Sequence, residues 1–527
     1  MLLKRFVGCL LVLMLILPTL AFGEGGALPL STDGASLSFT LQENYYAGTS
    51  YADNLPVYQE LEKRTGVKVE WDVIELNTFN ETMEIRLASG SKLSDIIQLP
   101  NYNTADIMRY AEAGLILPLD DLIKEHAPNI YHLFFEEVPE LGRSMTGYDG
   151  HIYAIPQNFY GMNFVAPMCL TIRQDWLDAL DLSVPTTADE WYTVLKAFKE
   201  KDPNGNGIAD EIPMSTPGNV SSLENAYAYL ASAFGLTAPV TVRYYPDANG
   251  VIVDQYSTPE FKEFLTFLSK LYAEGLIDAA FSVEGTKITA MAAQNILGST
   301  AYYADSTTTL QKNAQSSGDE KAYYKVIPVP VDKGGNPGRQ IGRSLTGFRY
   351  SLSKDCKDPV LAIKWIDYLY ANPEGRDLMH YGVEGVHWNW NEDKTARVWT
   401  EYVAKNPDNL AIYNVLRKDG AYATQFTNRT KEFFGMMVEE YVLNDVQPIL
   451  PNIVPAYPSV IATSEEKARL TSITADLNTY CNEMVQKFII GQESLDKFDA
   501  FVATMKAMGA DEVLAIQQTQ YDRYMGK

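Results

Sequence analysis

Cysteine is the first residue type that this 527-residue sequence has little of, with 4 in the whole chain. Cys9 lies within an N-terminal apolar run, so Cys169, Cys356 and Cys481 remain for the folded part. Three cysteines cannot form a complete disulfide framework, even in an oxidising compartment. The chain must therefore fold on hydrophobic cores, with at most one bridge, and it is long enough for two or three such cores.

Common catalytic motifs are missing as well. The histidines do not show the H-E-x-x-H spacing of zinc proteases, and neither a G-x-S-x-G nor a G-x-x-x-x-G-K-[ST] segment is found. These absences argue against a metalloprotease, a serine hydrolase of the elbow type and a P-loop nucleotidase. The five histidines are His126, His132, His151, His380 and His387.

Positive charge is scarce. The chain has 43 Lys and Arg against 67 Asp and Glu, which gives a formal net charge of −24. So negative a chain disfavours nucleic acid and anionic membrane surfaces as partners. The same charge is typical of soluble exported proteins and therefore does not identify a ligand.

Long apolar runs are limited to the N-terminus. Lys4 and Arg5 precede the apolar stretch Phe6–Leu17, and Ala21–Gly23 has the small-x-small pattern of a cleavage site. This stretch is shorter than the roughly 20 residues that a spanning helix needs. We therefore predict a signal peptide over residues 1–23 and an exported, soluble mature protein. An uncleaved N-terminal anchor is the alternative.

Strand and helix patterns alternate along the rest of the chain, which predicts an α/β fold. Ser36–Gln42 and Val67–Glu75 alternate apolar and polar residues as half-buried strands do, and Val57–Thr65 between them has helical spacing. Asp95–Gln98 predicts a further short strand. Later helices begin at capping signals such as Thr187 with Glu190, and we assign their apolar stripes to the core.

The segment Asp202-Pro-Asn-Gly-Asn-Gly-Ile-Ala-Asp-Glu211 contains the densest set of oxygen donors. Calcium takes six to eight oxygen ligands at about 2.3–2.6 Å, and a short loop supplies them only by curling tightly around the ion. Gly205 and Gly207 give the backbone the freedom for such a curl. The predicted ligands are the side chains of Asp202, Asn204, Asn206, Asp210 and Glu211 and the carbonyl of Ile208.

This loop departs from an EF-hand. Pro213 occupies the twelfth position, where that motif needs a bidentate glutamate, and the closing carboxylates come two to three residues early. The alternative is a solvated Asp/Asn/Gly turn, since these residues favour turns for local reasons. Six spaced donors favour calcium. No open coordination position or nearby nucleophile is evident, so the predicted role is structural.

Around this loop the sequence resembles family 1 of the extracellular solute-binding proteins of ABC importers, in particular the large subgroup with the alginate-binding proteins. Ile172–Leu180, Pro185–Trp191 and Leu195–Asp202 carry the closest likeness. The ordered set of further matching segments makes the resemblance specific and extends it over nearly the whole mature chain. These segments are Leu61–Val67, Gly114–Leu122, Asp149–Pro156, Leu271–Asp278, Tyr381–His387 and Tyr521–Tyr524.

The resemblance implies a type II periplasmic-binding-protein fold, with two α/β lobes joined by hinge crossovers and a ligand cleft between them. We predict an N-terminal lobe from residues 24–155 with about 339–378, and a C-terminal lobe from 156–338 with about 379–527. The resemblance also implies a structural calcium at 202–211 and carbohydrate, often oligosaccharide, as substrate. Many relatives are lipoproteins, whereas this sequence lacks the lipid-attachment cysteine.

Sugar binding needs aromatic rings against C–H faces and polar side chains against hydroxyls. Trp388 and Trp390 alternate with polar residues without helical spacing, which makes them our first candidates for stacking; an edge of the core is the alternative. The other candidates follow strands or crossovers, where α/β proteins commonly place ligand loops. They are Tyr45, Tyr46, Gln98, Asn158, Phe159, Tyr160 and Arg343.

The sequence thus predicts the extracytoplasmic solute-binding component of an ABC importer, a non-enzymatic monomer that captures a carbohydrate or another small solute and meets the permease subunits. The first alternative is a secreted polysaccharide-active enzyme. A glycosidase needs two carboxylates about 5–9.5 Å apart, and 67 acidic residues do not exclude such a pair. A surface adhesin, with no small-ligand cleft and no ligand-linked closure, is the second.

Overall fold

The computed structural model describes residues 28–43, 55–100, 105–156, 168–216, 226–280, 288–342, 349–406, 412–421, 431–458 and 460–527. Strands and helices alternate through these ranges, as predicted, and pack around two large hydrophobic cores. The elements on the core with Phe39 and Trp365 are called the first lobe. The elements on the core with Leu170, Trp191 and Phe264 are called the second lobe.

The strands are short, as expected for sheets covered by helices. They are β1 (Ser36–Gln42), β2 (Lys68–Ile74), β3 (Ile96–Gln98), β4 (Ile155–Pro156), β5 (Cys169–Arg173), β6 (Tyr244–Pro246), β7 (Ile252–Asp254), β8 (Ser299–Tyr302), β9 (Tyr324–Ile327), β10 (Gln340–Ile341), β11 (Arg349–Leu352), β12 (Trp388–Trp390), β13 (Arg397–Trp399) and β14 (Ile453–Val454).

The helices provide more of the described residues than the strands do. They are α1 (Pro56–Thr65), α2 (Phe79–Ser89), α3 (Ala105–Glu112), α4 (Asp120–His126), α5 (Pro128–His132), α6 (Pro139–Met145), α7 (Gln174–Ala179), α8 (Ala188–Glu200), α9 (Pro259–Ala273), α10 (Ile288–Ala293), α11 (Thr307–Ser316), α12 (Pro359–Tyr370), α13 (Pro373–Tyr381), α14 (Glu401–Ala404), α15 (Ile412–Lys418), α16 (Lys431–Met437), α17 (Glu440–Val446), α18 (Ser464–Ile489), α19 (Phe498–Ala507) and α20 (Ala510–Met525).

The sheet of the first lobe has the order β2-β1-β3-β11-β4. β1 is parallel to β2 and β3, while β11 is antiparallel to β3 and β4. Because parallel strands end at the same edge, the last residues of β1 and β3, Gln42 and Gln98, lie together. Two crossover segments join the sheet at this edge, because β4 ends and β11 begins beside Gln98.

A tight turn connects α1 to β2. Gly66 has φ +69°, and its amide caps the helix by donating to the carbonyl of Glu62. A Cβ at this position would lie 1.9 Å from the carbonyl oxygen of Ser31, so any larger residue would collide with the backbone. The predicted helix end at Gly66 therefore has both a conformational and a steric cause.

The main sheet of the second lobe is antiparallel, with β5 between β8 and β9. Cys169 pairs with Tyr302 at the end that follows the crossing from the first lobe. Ile172 pairs with Ser299 toward the opposite end. One end of this sheet therefore adjoins the crossing from the first lobe, and the other end lies away from it.

The chain crosses between the lobes after β4, after β10 and after α16. β11 and α12 pack in the first lobe, within the predicted span of about 339–378. The structure differs from the predicted division after residue 379. Trp388, Val415 and Phe433 lie in the first core, because α13 packs against α1 and α12 and carries the following hairpin with it. β10, in contrast, pairs with β14 in the second lobe.

Polar contacts join the C-terminal helices of the second lobe to the first lobe. Lys467 on α18 forms an ion pair with Asp106 on α3, a carboxylate that is only 9% exposed. The hydroxyl of Tyr524 donates to the carbonyl of Glu140 at 3.4 Å, and the guanidinium of Arg143 lies 5.3 Å from the Tyr524 ring centroid. The lobes thus touch here through polar groups that water can replace.

None of Cys169, Cys356 and Cys481 forms a disulfide, so the described part of the chain folds without one. Burial raises the pKa of Cys356 to about 12 and that of Cys481 to about 11, which keeps both thiols protonated and unreactive. None of the described helices combines the length and the apolar character that crossing a bilayer requires.

Candidate functional site

The donor-rich loop between α8 and residue 212 curls as predicted. Asp202, Gly205 and Gly207 all have positive φ, at 47°, 69° and 78°. The Asp202 carboxylate accepts the amides of Asn206 at 3.1 Å and Gly207 at 2.9 Å. The side-chain oxygen of Asn206 accepts the amide of Ile208 at 2.6 Å. These bonds turn the oxygens of successive donors toward the inside of the curl.

Asp210 closes the loop from the other end. Its carboxylate accepts the Asn206 side-chain amide at 3.2 and 3.3 Å and the Asn204 amide at 3.5 Å. Asp202, Asn204, Asn206 and Asp210 therefore lie close to one another within the curl. Amide hydrogens occupy positions around the carboxylate that a cation would otherwise take.

Glu211 is the most unusual side chain of the loop. It is 2% exposed, and neither carboxylate oxygen accepts a hydrogen bond from the described residues. Burial raises its pKa, and the nearby charges of Asp210 and Asp202 raise it further. A buried carboxylate without donors is costly, and a divalent cation would remove that cost. The donor set of the loop therefore fits calcium.

Carboxylates alone do not form this site. Among the described residues, no three His, Cys, Asp or Glu side chains are grouped so as to hold a metal by themselves. The set depends on the amide oxygens of Asn204 and Asn206 and on the carbonyl of Ile208. Such neutral oxygens suit calcium better than they suit zinc or copper.

The loop is fastened to the second lobe at the β8 end that carries Ser299. Ile212 exchanges backbone hydrogen bonds with the chain before β8, accepting from the Gly298 amide at 3.0 Å. The Asn204 amide donates to the carbonyl of Asn295 at 3.1 Å. The Asn295 side-chain oxygen in turn accepts a hydrogen bond at 2.6 Å from Arg173. Arg173 is fully buried and forms ion pairs with Asp175 and Asp319. The loop is thus tied to the core of the lobe.

The edge of the first-lobe sheet contains one predicted contact residue. Gln98 is 2% exposed, and its Oε1 accepts the amide of Gln42 at 3.1 Å, so this side chain joins the ends of β3 and β1. The other candidates near this edge and the crossovers lie outside the described residues. They are Tyr45, Tyr46, Asn158, Phe159, Tyr160 and Arg343.

The two candidate tryptophans occupy different environments on the β12–β13 hairpin. Trp388 is 7% exposed, belongs to the first core and donates from Nε1 to the carbonyl of Gly382 at 3.1 Å. Trp390 is 38% exposed, and the two ring centroids are 5.3 Å apart at 86°. Solvent therefore reaches Trp390 far more readily than Trp388.

Arg397 holds these rings in place. Its guanidinium lies 4.9 Å from the Trp388 centroid, 5.0 Å from that of Trp390 and 4.5 Å from that of Tyr381. Ion pairs with Asp377 at 2.6 Å and Glu432 at 2.9 Å fix the guanidinium. The hairpin thus depends on charged residues up to 35 positions away in sequence.

Sequence reasoning missed the histidine that anchors this hairpin. His387 is fully buried, its Nδ1 accepts the amide of Val383 at 2.9 Å, and its Nε2 lies 3.1 Å from the Asp419 carboxylate. The Tyr402 hydroxyl donates to the same carboxylate at 2.8 Å. Burial raises the pKa of Asp419, but the hydrogen bonds from His387 and Tyr402 outweigh this effect and lower the pKa below its usual value. A single histidine followed by tryptophan gives no signal of a partner 32 residues away.

Sequence reasoning also missed the aromatic end of β8. Tyr302 and the 43% exposed Tyr303 lie where the second-lobe sheet approaches the crossing, opposite Cys169. Tyr302 is the last residue of β8 and Tyr303 follows it, so the rule that selected Tyr45 and Tyr46 after the first strand would also have found Tyr303.

Comparison with known proteins gives a consistent result. The family model for bacterial extracellular solute-binding protein matches residues 47–375. The fructooligosaccharide ABC transporter substrate-binding protein FusA of Streptococcus pneumoniae is 29% identical over 502 residues, which cover 89% of this chain and 87% of FusA.

Solved structures agree with the sequence comparison. The alginate-binding protein AlgQ2 without calcium ion aligns with TM-score 0.73 and 25% identity over 94% of this chain and 99% of that one. FusA in complex with kestose and a FusA EF-hand mutant in complex with fructo-nystose each align with TM-score 0.72 and 25% identity, over 93% of this chain and 99% of theirs. The predicted α/β, two-lobe architecture is confirmed by this likeness.

Proposed function

Because the chain belongs to the bacterial extracellular solute-binding protein family, we propose that it captures an oligosaccharide between its two lobes and delivers it to the permease of an ABC importer. The observation that supports this most strongly is a likeness to FusA that extends over most of both chains. A binding role needs no catalytic group, so we assign the chain no enzymatic activity.

We propose a neutral oligosaccharide as the cargo. FusA is described by its fructooligosaccharide and AlgQ2 by its alginate, one neutral and one acidic. This chain carries a formal net charge of −24, which opposes the approach of a polyanion. The electrostatic argument therefore favours the FusA-like class over the alginate-like class.

The binding surface is proposed to lie where the strand ends of the two lobes face each other. On the first lobe, the edge at Gln42 and Gln98 leads into segments that contain Tyr45, Tyr46, Asn158, Tyr160 and Arg343. On the second lobe, Tyr303 adjoins the crossing. The hairpin adds Trp390 as a ring for stacking, with Trp388 beneath it, because aromatic faces cover the C–H faces of sugars.

Calcium is proposed to hold the loop at 202–211. The ligands would be the side-chain oxygens of Asp202, Asn204, Asn206, Asp210 and Glu211 with the carbonyl of Ile208. The ion would supply the positive charge that the buried Glu211 carboxylate lacks. Because the loop is fastened at the far end of β8 from Tyr303, we assign the ion a structural and not a ligand-binding role.

The protein is proposed to act as an exported monomer. The family to which it belongs is extracellular. Residues 1–23 are proposed as its signal peptide. The permease subunits are proposed as its macromolecular partner.

Thermal unfolding in the presence of sugars tests the proposal. A ligand at 100 times its Kd stabilises the native state by about 2.7 kcal/mol. We expect kestose or another neutral oligosaccharide to raise the Tm in calcium-containing buffer, with the sugar recovered intact and galacturonan fragments without effect. Recovery of cleaved sugar would point to an enzyme, and no shift with any oligosaccharide would contradict the proposal.

A further inference from the structure

The flank of the second lobe carries a groove of about 530 Å³. All its walls come from residues 234–263 and 332–339, and no residue of the first lobe contributes. Small-ligand sites commonly have volumes of about 300–1,000 Å³, so the groove is large enough for a sugar of a few rings. It is distinct from the facing strand ends to which the cargo is assigned.

The floor of the groove is rigid. Thr237, Tyr245 and Gln255 are between 4% and 8% exposed. The Gln255 side chain accepts the amide of Thr237 at 2.8 Å and donates to the carbonyl of Val242 at 2.8 Å, while the Tyr245 hydroxyl donates to the carbonyl of Pro455 at 2.8 Å. A floor held in this way needs little reorganisation on binding, which favours affinity.

Two aromatic rings line the groove. Phe234 and Tyr245 border the groove, and each carries a cation near its ring. The Arg339 guanidinium lies 5.5 Å from the Tyr245 centroid, and the Lys333 ammonium lies 5.7 Å from the Phe234 centroid. Rings beside polar groups provide the combination that sugar C–H faces and hydroxyls require.

The charged residues of the groove divide into engaged and available groups. The Asp247 and Asp332 carboxylates accept amides of their own turns, and Lys333 is paired with Glu263. Glu260 and Arg339 form no ion pair with any described residue, although both border the groove. One carboxylate and one guanidinium outside ion pairs, the latter beside the Tyr245 ring, give no preference for an ionic ligand, but both suit neighbouring hydroxyls.

We infer that this groove is a second binding site, for a neutral saccharide, on the second lobe alone. Phe234 and Tyr245 would contact the sugar rings, and Glu260 and Arg339 would bond the hydroxyls. Because one lobe supplies every wall, this site binds whether the lobes are apart or together. It is open on one side, so it buries less of the sugar and binds more weakly than a site enclosed by two lobes.

Calorimetric titration of the full chain with kestose in calcium buffer tests the inference. We expect a tighter and a weaker binding phase. The double variant Arg339→Ala/Glu260→Gln should weaken the second phase at least tenfold and leave the first unchanged. A matched control, Lys405→Ala/Glu401→Gln, removes an exposed pair on α14 and should change neither phase.

Three outcomes would overturn the inference. The wild type could lack the weaker phase, the double variant could leave that phase intact, or the double variant could abolish the tighter phase, which would make the groove part of the principal site. Loss of the tighter phase from the wild type alone counts against the proposed function and not against the groove. The two failures are therefore distinguishable.

Discussion

The proposed calcium loop at 202–211 and the hairpin at 388–399 are both short, turn-rich segments, but they position their side chains differently. In the loop, side chains of successive residues bond the backbone within six positions, as Asp202 does with Gly207. In the hairpin, the Trp390 ring packs against Arg397, and Arg397 forms an ion pair with Glu432 on α16. The loop is a local structure, whereas the hairpin is a tertiary one.

This difference explains which of the two candidate sites leaves a continuous pattern in the sequence. A local site leaves all its donors in one continuous stretch, so their spacing reflects the geometry. A tertiary site distributes its parts, and the two tryptophans look equivalent until the fold shows that one is 7% and the other 38% exposed. Substitutions in the loop and in the hairpin should therefore have different effects on stability and binding.

The largest effect is expected from Trp388→Ala. Removing a buried aromatic side chain from a core typically costs about 3–5 kcal/mol, and the Gly382 carbonyl would also lose its donor. Denaturant unfolding should show the loss in the first lobe, with Trp388→Phe retaining more of the stability. An unchanged midpoint for Trp388→Ala would mean that the hairpin is not part of the core.

The double variant Asp202→Ala/Asp210→Ala should abolish the stabilisation that calcium provides. At 100 times its Kd the ion contributes about 2.7 kcal/mol, so the wild-type Tm should fall on chelation while that of the variant should not respond. Asp332→Ala is the matched control, because Asp332 caps a similar Asp/Gly/Asn turn in the same lobe. A wild type insensitive to both chelator and added calcium would contradict the metal assignment.

Glu211→Gln should change stability by about 1–3 kcal/mol with opposite signs in the two metal states. Without calcium the variant should be more stable, because a buried charge is removed; with calcium it should be less stable, because a ligand charge is lost. Chemical unfolding without calcium and with calcium measures the change in the free energy of unfolding in each state. An effect of the same sign in both states would mean that Glu211 does not face the ion.

The pH dependence of the metal-free protein sharpens this result. The pKa of Glu211 is higher in the folded than in the unfolded state, so folded molecules bind its proton more readily. Its contribution is most favourable below the unfolded pKa and is lost as pH rises through the raised pKa. Between the unfolded pKa and the raised folded pKa of Glu211, the wild type should therefore lose stability relative to Glu211→Gln. Parallel pH profiles of the two proteins would contradict the raised pKa.

The smallest effect is expected from Trp390→Ala, which should weaken sugar binding by at least about 1 kcal/mol, or roughly fivefold, without lowering the Tm of the free protein. Trp390→Tyr keeps a stacking ring and should retain most of the affinity. Calorimetry with kestose measures the change. An unaltered Kd would place the principal site away from the hairpin.

Local signals predicted the elements well. The strand predicted over Ser36–Gln42 has those bounds in the structure, and Thr187 forms the predicted capping box with Glu190. The buried positions of α18 begin only at Ile473, although the helix begins at Ser464. A second capping box, Thr463 with Glu466, sets that start, and the polar first turns hide it from an analysis of apolar spacing.

Long-range pairings could not be predicted in the same way. The contact between His387 and Asp419, and the assignment of the hairpin to the first lobe, both depend on where α13 packs. Nothing in the sequence of the hairpin specifies that packing. The unsatisfied Glu211 is an intermediate case, since its place in the loop was predicted but its burial follows from the neighbouring strand.

The arrangement of β8 has an evolutionary consequence. The segment after the proposed calcium loop adjoins the strand at Ser299, and two tyrosines, Tyr302 and the exposed Tyr303, lie at its other end. With the cargo proposed at one end and calcium at the other, substitutions that alter cargo preference would accumulate at the first end without disturbing the second. Homologous proteins that descend from such a chain would then bind different sugars while keeping the same loop at 202–211.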